Sequence, residues 1–82
     1  MKSETLKRGD KVLINNDLID HLIRVGNPGV MVNRIWEVGK TATIEKLSDY
    51  STVRIVRGVW SVWIDNNIAE SMRMDYLKQT GK

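Results

Sequence analysis

The chain has 82 residues, with 13 Lys and Arg against 10 Asp and Glu, one His, three Trp and no Cys. That length supports one small domain with a single core, and oligomerisation is the obvious further source of buried area. The absence of cysteine excludes disulfides and thiolate metal sites and fits a reducing compartment.

The formal charge of +3 is mild and spread along the chain, with "LKRGDK" as its only local cluster. A dedicated nucleic-acid binder usually concentrates its charge, so a solvated surface is expected here. No apolar stretch approaches the roughly 20 residues of a membrane span. The opening "MKSETLKRGDK" is polar, with no apolar run behind it, so no secretory leader and a cytoplasmic location are expected.

In chain order, residues 1–8 read as a tail and 9–77 as one domain. "DKVLIN" (10–15) follows a Gly-Asp turn and sets Val12 and Ile14 on one face, Leu13 on the other, as in a short strand. In "NDLIDHLIRVGNPG" (16–29), Leu18, Ile19, Leu22 and Ile23 share the spacing of one helical face. Asn16 or Asp17 is placed to cap it, and Gly26-Asn27-Pro28 to stop it. A short helix and an ordered long loop over 16–36 both remain open. "GVMVNRIWEVGK" (29–40) alternates Val30 and Val32, then reads as a helical turn or a strand.

"KTATIEKL" (40–47) is a strand with Ala42 and Ile44 on one face, and "SDYS" is its turn. "STVRIVR" (51–57) is the antiparallel partner, with Val53 and Ile55 inward and Arg54 outward. Gly58 turns or bulges the chain into "VWSVWI" (59–64). "DNNIAE" (65–70) reads as a single helical turn. In "SMRMDYL" (71–77) the alternation of Met72, Met74 and Tyr76 favours a closing strand, although Ile68, Met72 and Tyr76 also fit a helix. Residues 78–82 complete the chain as a tail. Short strands between tight turns predict an all-β fold closed into a five-stranded small barrel, which disposes of exposed edges.

The framework "RGDKVLI … VGKTATIEKLSDYSTVRIV … WSVWIDNNIAE" resembles the Src-homology-3-like small barrels. Within that group it is similar to short proteins carried by phages and prophages of Gram-positive bacteria, and to the Mind-bomb-type repeats, which bind peptides. Gly9, Asp10 and Val12 match the first strand of that pattern, Gly39, Lys40, Ala42 and Ile44 the second block, and Trp63, Asp65 and Ile68 the closing one. The match spans about two-thirds of the chain at positions that determine fold more than activity, and residues 16–36 depart from it.

Trp60, Val62 and Ile64 share one strand face, while Ser61, Trp63 and Asp65 share the other. One tryptophan is therefore expected in the core and the other outside. Pattern favours Trp60 as the core residue, whereas the resemblance implies Trp63. The outer one is a candidate binding anchor. Trp36, beside Arg34 and Glu37, either plugs the barrel end or joins Trp63 and Tyr50 in an aromatic groove for peptides. Leu22, from the apolar "DLIDHLI", completes the protein-binding set.

His21 is the single histidine, with no neighbouring Cys, no second His and no recognisable nucleophile, so no metal, cofactor or catalytic residue is assigned. Gly39-Lys40-Thr41 lacks the upstream glycine of a phosphate loop, because Arg34 stands at that position. Lys40, Lys46, Arg54 and Arg57 form a candidate basic stripe for single-stranded nucleic acid, diluted by Glu45, Asp49 and Asp65.

The expected function is non-catalytic protein binding, with Arg34, Arg54 and Arg57 orienting an acidic partner. By the resemblance, this is a phage or mobile-element protein that modulates or inhibits a host protein. The apolar "DLIDHLI" and "VMV" also suit a small oligomer. The alternative is a nucleic-acid-binding barrel of the KOW type. Catalysis at an oligomer's pore, as in the plasmid-borne dihydrofolate reductase, is disfavoured because that protein's signature residues are not recognisable here.

Overall fold

The computed structural model describes residues 6–48 and 51–80. Along the chain run β1 (Lys11–Leu13), α1 (Asn16–Arg24), α2 (Gly29–Ile35), β2 (Thr41–Leu47), β3 (Thr52–Arg57), β4 (Trp60–Asp65) and α3 (Asn66–Thr80). The strands form one antiparallel sheet in the order β1-β2-β3-β4. The fold is α+β, an open sheet with helices, and the expected all-β, five-stranded closed barrel is wrong.

The error lies mainly at the C-terminal end. Asp65 ends β4, and residues 66–77, expected as a turn and a closing strand, belong with 78–80 of the expected tail to one helix of 15 residues. No Gly or Pro interrupts residues 66–80, and Ala, Glu, Met, Arg, Leu, Lys and Gln there all favour helix. A strand would set Met72 and Met74 on one face. Instead Met72 is fully buried with Ala69, three residues back, while Met74 is 44% exposed. The alternation was a coincidence of composition, and helical spacing governs burial. With no fifth strand, the sheet stays open.

Residues 16–36 fold as two short helices joined by a turn at Gly26. Asn15 caps α1, its Oδ1 accepting from the Leu18 N–H at 3.2 Å, one residue before the expected cap. The helix then buries Leu18, Ile19 and Leu22. Pro28, at φ −62°, leads into α2. Within α2, Val32 is buried but Val30 is 75% exposed, as a helix requires and a strand would not.

The strands follow their period-two pattern. Val12, Ile14, Ala42, Ile44, Val53, Ile55 and Ile64 form the inner face and are all buried. Ala69 and Met72 of α3, Leu18 and Leu22 of α1, and Val32 and Trp36 close the same core. The helix α3 packs mainly on β1 and reaches β3 and β4, with α1 between it and α2. The β3–β4 hairpin turns on Gly58 (φ 63°) and Val59, the positive-then-negative φ pattern of a type II′ turn. The turn expected at 48–51 is seen only at its ends, since Asp49 and Tyr50 lie outside the described residues; Ser48 N–H bonds Thr52 C=O at 3.0 Å.

Asn15 ties α1 to α3. Its Nδ2 donates to the Asp75 carboxylate at 2.8 Å and to Ser71 Oγ at 3.2 Å, and Ser71 Oγ donates to Asp17 at 3.0 Å. A second tie holds α3 to β1. Arg73 Nη1 donates to the Lys11 carbonyl at 2.8 Å, Nη2 stands 3.9 Å from the Asp10 carboxylate, and the guanidinium lies over the Tyr76 ring.

Candidate functional site

The helices do not cover the whole inner face. Between α2 and the start of β4 an apolar cleft of about 260 Å³ remains open. Leu22, Val32 and Trp36 are buried in its lining. Pro28 and Met31 wall it on the helical side, and Trp60 and Val62 on the strand side. Asn27 fixes the rim: its backbone N–H and side-chain Nδ2 both donate to the Leu22 carbonyl, at 3.1 and 2.9 Å.

Trp60 shares the inner face with Val62 and Ile64, as its parity predicts, yet it is 49% exposed. It pairs with Arg57 at the hairpin end of the sheet, beyond the last buried row. Trp63 points to the opposite face and is 44% exposed. The expectation of one core and one exposed tryptophan is therefore corrected: neither is buried, because the core stops short of Trp60. The buried tryptophan is Trp36, at the C-terminus of α2.

Behind Trp60 a second depression is lined by Met31, Arg34, Ile35, Arg57 and Gly58. Arg57 belongs to the inner face, and its Nε donates to the Ile35 carbonyl at 3.1 Å. That bond satisfies a carbonyl at the C-terminus of α2, where a cation is favoured. Arg34 is exposed on the last turn of the same helix. Trp60 thus stands on a ridge between an apolar cleft and a two-arginine hollow.

Of the protein-binding residues singled out from sequence, Leu22 and Trp36 line the cleft and Arg34 the adjoining hollow. Trp63 lies across the sheet from them, and Tyr50 is outside the described residues. Sequence reasoning did not assign Met31, Pro28 or Trp60 to this site.

The basic residues divide between faces. Lys46, Arg54 and Trp63 form one cross-strand row on the outer face. There Arg54 pairs with Glu45 at 3.1 Å and donates to Ser61 Oγ at 2.9 Å. Arg8 lies beside this row. Arg57 is on the inner face, and Lys40 sits in the turn before β2, where its N–H bonds Glu37 C=O at 3.1 Å. His21 is half-buried on α1, and no three His, Cys, Asp or Glu among the described residues could hold a metal ion. No helix of the described residues is long and apolar enough to cross a membrane.

No known protein family, curated protein or solved structure matches the chain.

Proposed function

We propose that the chain is a non-catalytic protein-binding module whose site is the cleft between α2 and β4. The observation that carries this is the position of Trp60: half-exposed, rigidly mounted on a strand, with an apolar hollow on one side and Arg34 and Arg57 on the other. Interface hot spots favour this combination of Trp and Arg around a pocket that excludes water. The ligand it fits is a short segment with an apolar side chain for the cleft and a carboxylate for the arginines. The resemblance to phage-borne proteins puts a host protein among partners of that chemistry.

Selection of a displayed random-peptide library on the immobilised protein tests this. Peptides pairing a large apolar residue with Asp or Glu should be enriched. Trp60→Ala should weaken the best of them by about 30-fold or more, the effect of losing about 2 kcal/mol at a hot spot. Trp63→Ala, on the other face, should leave binding unchanged. No enrichment, or equal loss from both substitutions, refutes the proposal.

A second reading places single-stranded nucleic acid on the outer face, favoured by the Lys46–Arg54–Trp63 row with Arg8 beside it. It requires log affinity to fall linearly with log salt. Glutamate at Lys46 and Arg54 should then abolish retention on single-stranded DNA.

A further inference from the structure

The two edges of the sheet are finished differently. On β1, the Asp10 C=O accepts from Ile44 N–H of β2, and Ile14 bonds Gly39 and Lys40 just before β2, so the groups of Lys11 point away from the sheet. Arg73 of α3 occupies that position, bonding the Lys11 carbonyl at 2.8 Å. On β4 the phase is set by Asn66 N–H, which bonds Ser51 C=O at 2.9 Å. Val62 and Ile64 therefore bond β3, and the N–H and C=O of Ser61 and Trp63 and the N–H of Asp65 point outward, while the Asp65 C=O caps the first turn of α3. No backbone bond among the described residues reaches those outward groups, and β4 has no Pro, Gly, Lys or bulge to blunt the edge.

We propose that this edge is a homodimer interface, in which a second copy adds its own β4 antiparallel, Trp63 opposite Trp63, so that one sheet runs through both copies. The outward groups are arranged symmetrically about Trp63, so that register pairs Ser61 with the partner subunit's Asp65 and Asp65 with the partner subunit's Ser61. Every outward N–H and C=O then finds a partner, Ser61 N–H using the second lone pair of the carbonyl of Asp65 of the partner subunit.

Charge selects the same register. Ser61 Oγ already accepts from Arg54 at 2.9 Å, so the partner subunit's Asp65, opposite Ser61, arrives beside the Arg54 guanidinium. The two-fold axis makes that pair twice, flanking a cross-strand pair of tryptophans. Shifting the centre to Val62 would put Asp65 opposite the hairpin tip at Val59, away from any cation of the outer row. This surface is separate from the cleft, and the two proposals stand or fall independently.

The chain lacks cysteine, so single cysteines report the register directly. Cα atoms of a bonded antiparallel pair lie about 5.5 Å apart, within disulfide range. Trp63→Cys should therefore form a disulfide-linked dimer under mild oxidation. Ser61→Cys should not, because its counterpart lies four residues along the strand, on the order of 13 Å away. The wild-type chain should sediment at twice its 9.4 kDa mass. A wild type that stays at chain mass at the highest soluble concentration overturns the proposal, as does a wild-type dimer in which Trp63→Cys fails to cross-link. Equal cross-linking of both variants indicates random collision or another interface and overturns it too.

Discussion

Asn15 holds three bonds with one short side chain, so its replacement measures how firmly the helical wall of the cleft is anchored. Its Oδ1 caps α1 through the Leu18 N–H, a contribution of about 1 kcal/mol. Its Nδ2 reaches the Asp75 carboxylate at 2.8 Å and Ser71 at 3.2 Å across to α3. A hydrogen bond to a charged group is worth about 1.5–3 kcal/mol when buried, and this one is only partly buried, so about 1 kcal/mol is the fair figure. Asn15→Ala should then cost about 2 kcal/mol. At about 4–8 °C per kcal/mol for a chain of this size, the midpoint of thermal unfolding falls by about 10 °C. Asn15→Ser keeps a capping oxygen but cannot span to α3, so it should lose about half as much. Urea titration followed by far-UV circular dichroism resolves both, with the slope unchanged if only native stability is altered. A cost for Asn15→Ala below about 0.5 kcal/mol, the range of an ordinary surface substitution, would refute the reasoning. So would an Asn15→Ser variant no more stable than the alanine one, which would mean that the cap contributes nothing.

Two further substitutions probe the frame. Arg73→Ala exposes the Lys11 carbonyl on the β1 edge and removes the contacts to Asp10 and Tyr76, so urea titration should show a loss of about 1–2 kcal/mol. Arg73→Lys should recover little, since one ammonium cannot reproduce the spread of the guanidinium. Gly58→Ala meets no atom within 4 Å, so its cost is backbone strain alone at φ 63°, about 1–2 kcal/mol, read as a lower urea midpoint with native circular dichroism.

The strands were the most legible part of the chain. Ala42, Ile44, Val53 and Ile55 are buried as their alternation required, because strand parity is a local property that survives any tertiary arrangement. The apolar spacing of 18, 19, 22 and 23 likewise marked a helical face, of which Ile23 alone stays exposed. The alternating methionines misled, since Met72, Met74 and Tyr76 satisfy a strand pattern while Ile68, Met72 and Tyr76 satisfy a helical one. Local pattern cannot choose between them. The choice fell to α3, which covers the inner face and β1 as a closing strand would not.

The candidate site was legible only in pieces. Leu22 and Trp36 meet because α1 and α2 fold back on one another, and neither the turn angle nor the partner face is encoded in spacing. By itself the sequence determined where the β2 and β3 strands run and which of their side chains point inward. Only the tertiary structure decided that inward does not mean buried at Trp60. Parity sets the direction of a side chain, but burial depends on whether something packs opposite it, and α2 meets the hairpin end through Arg57 without covering Trp60. The unfilled space there is the cleft.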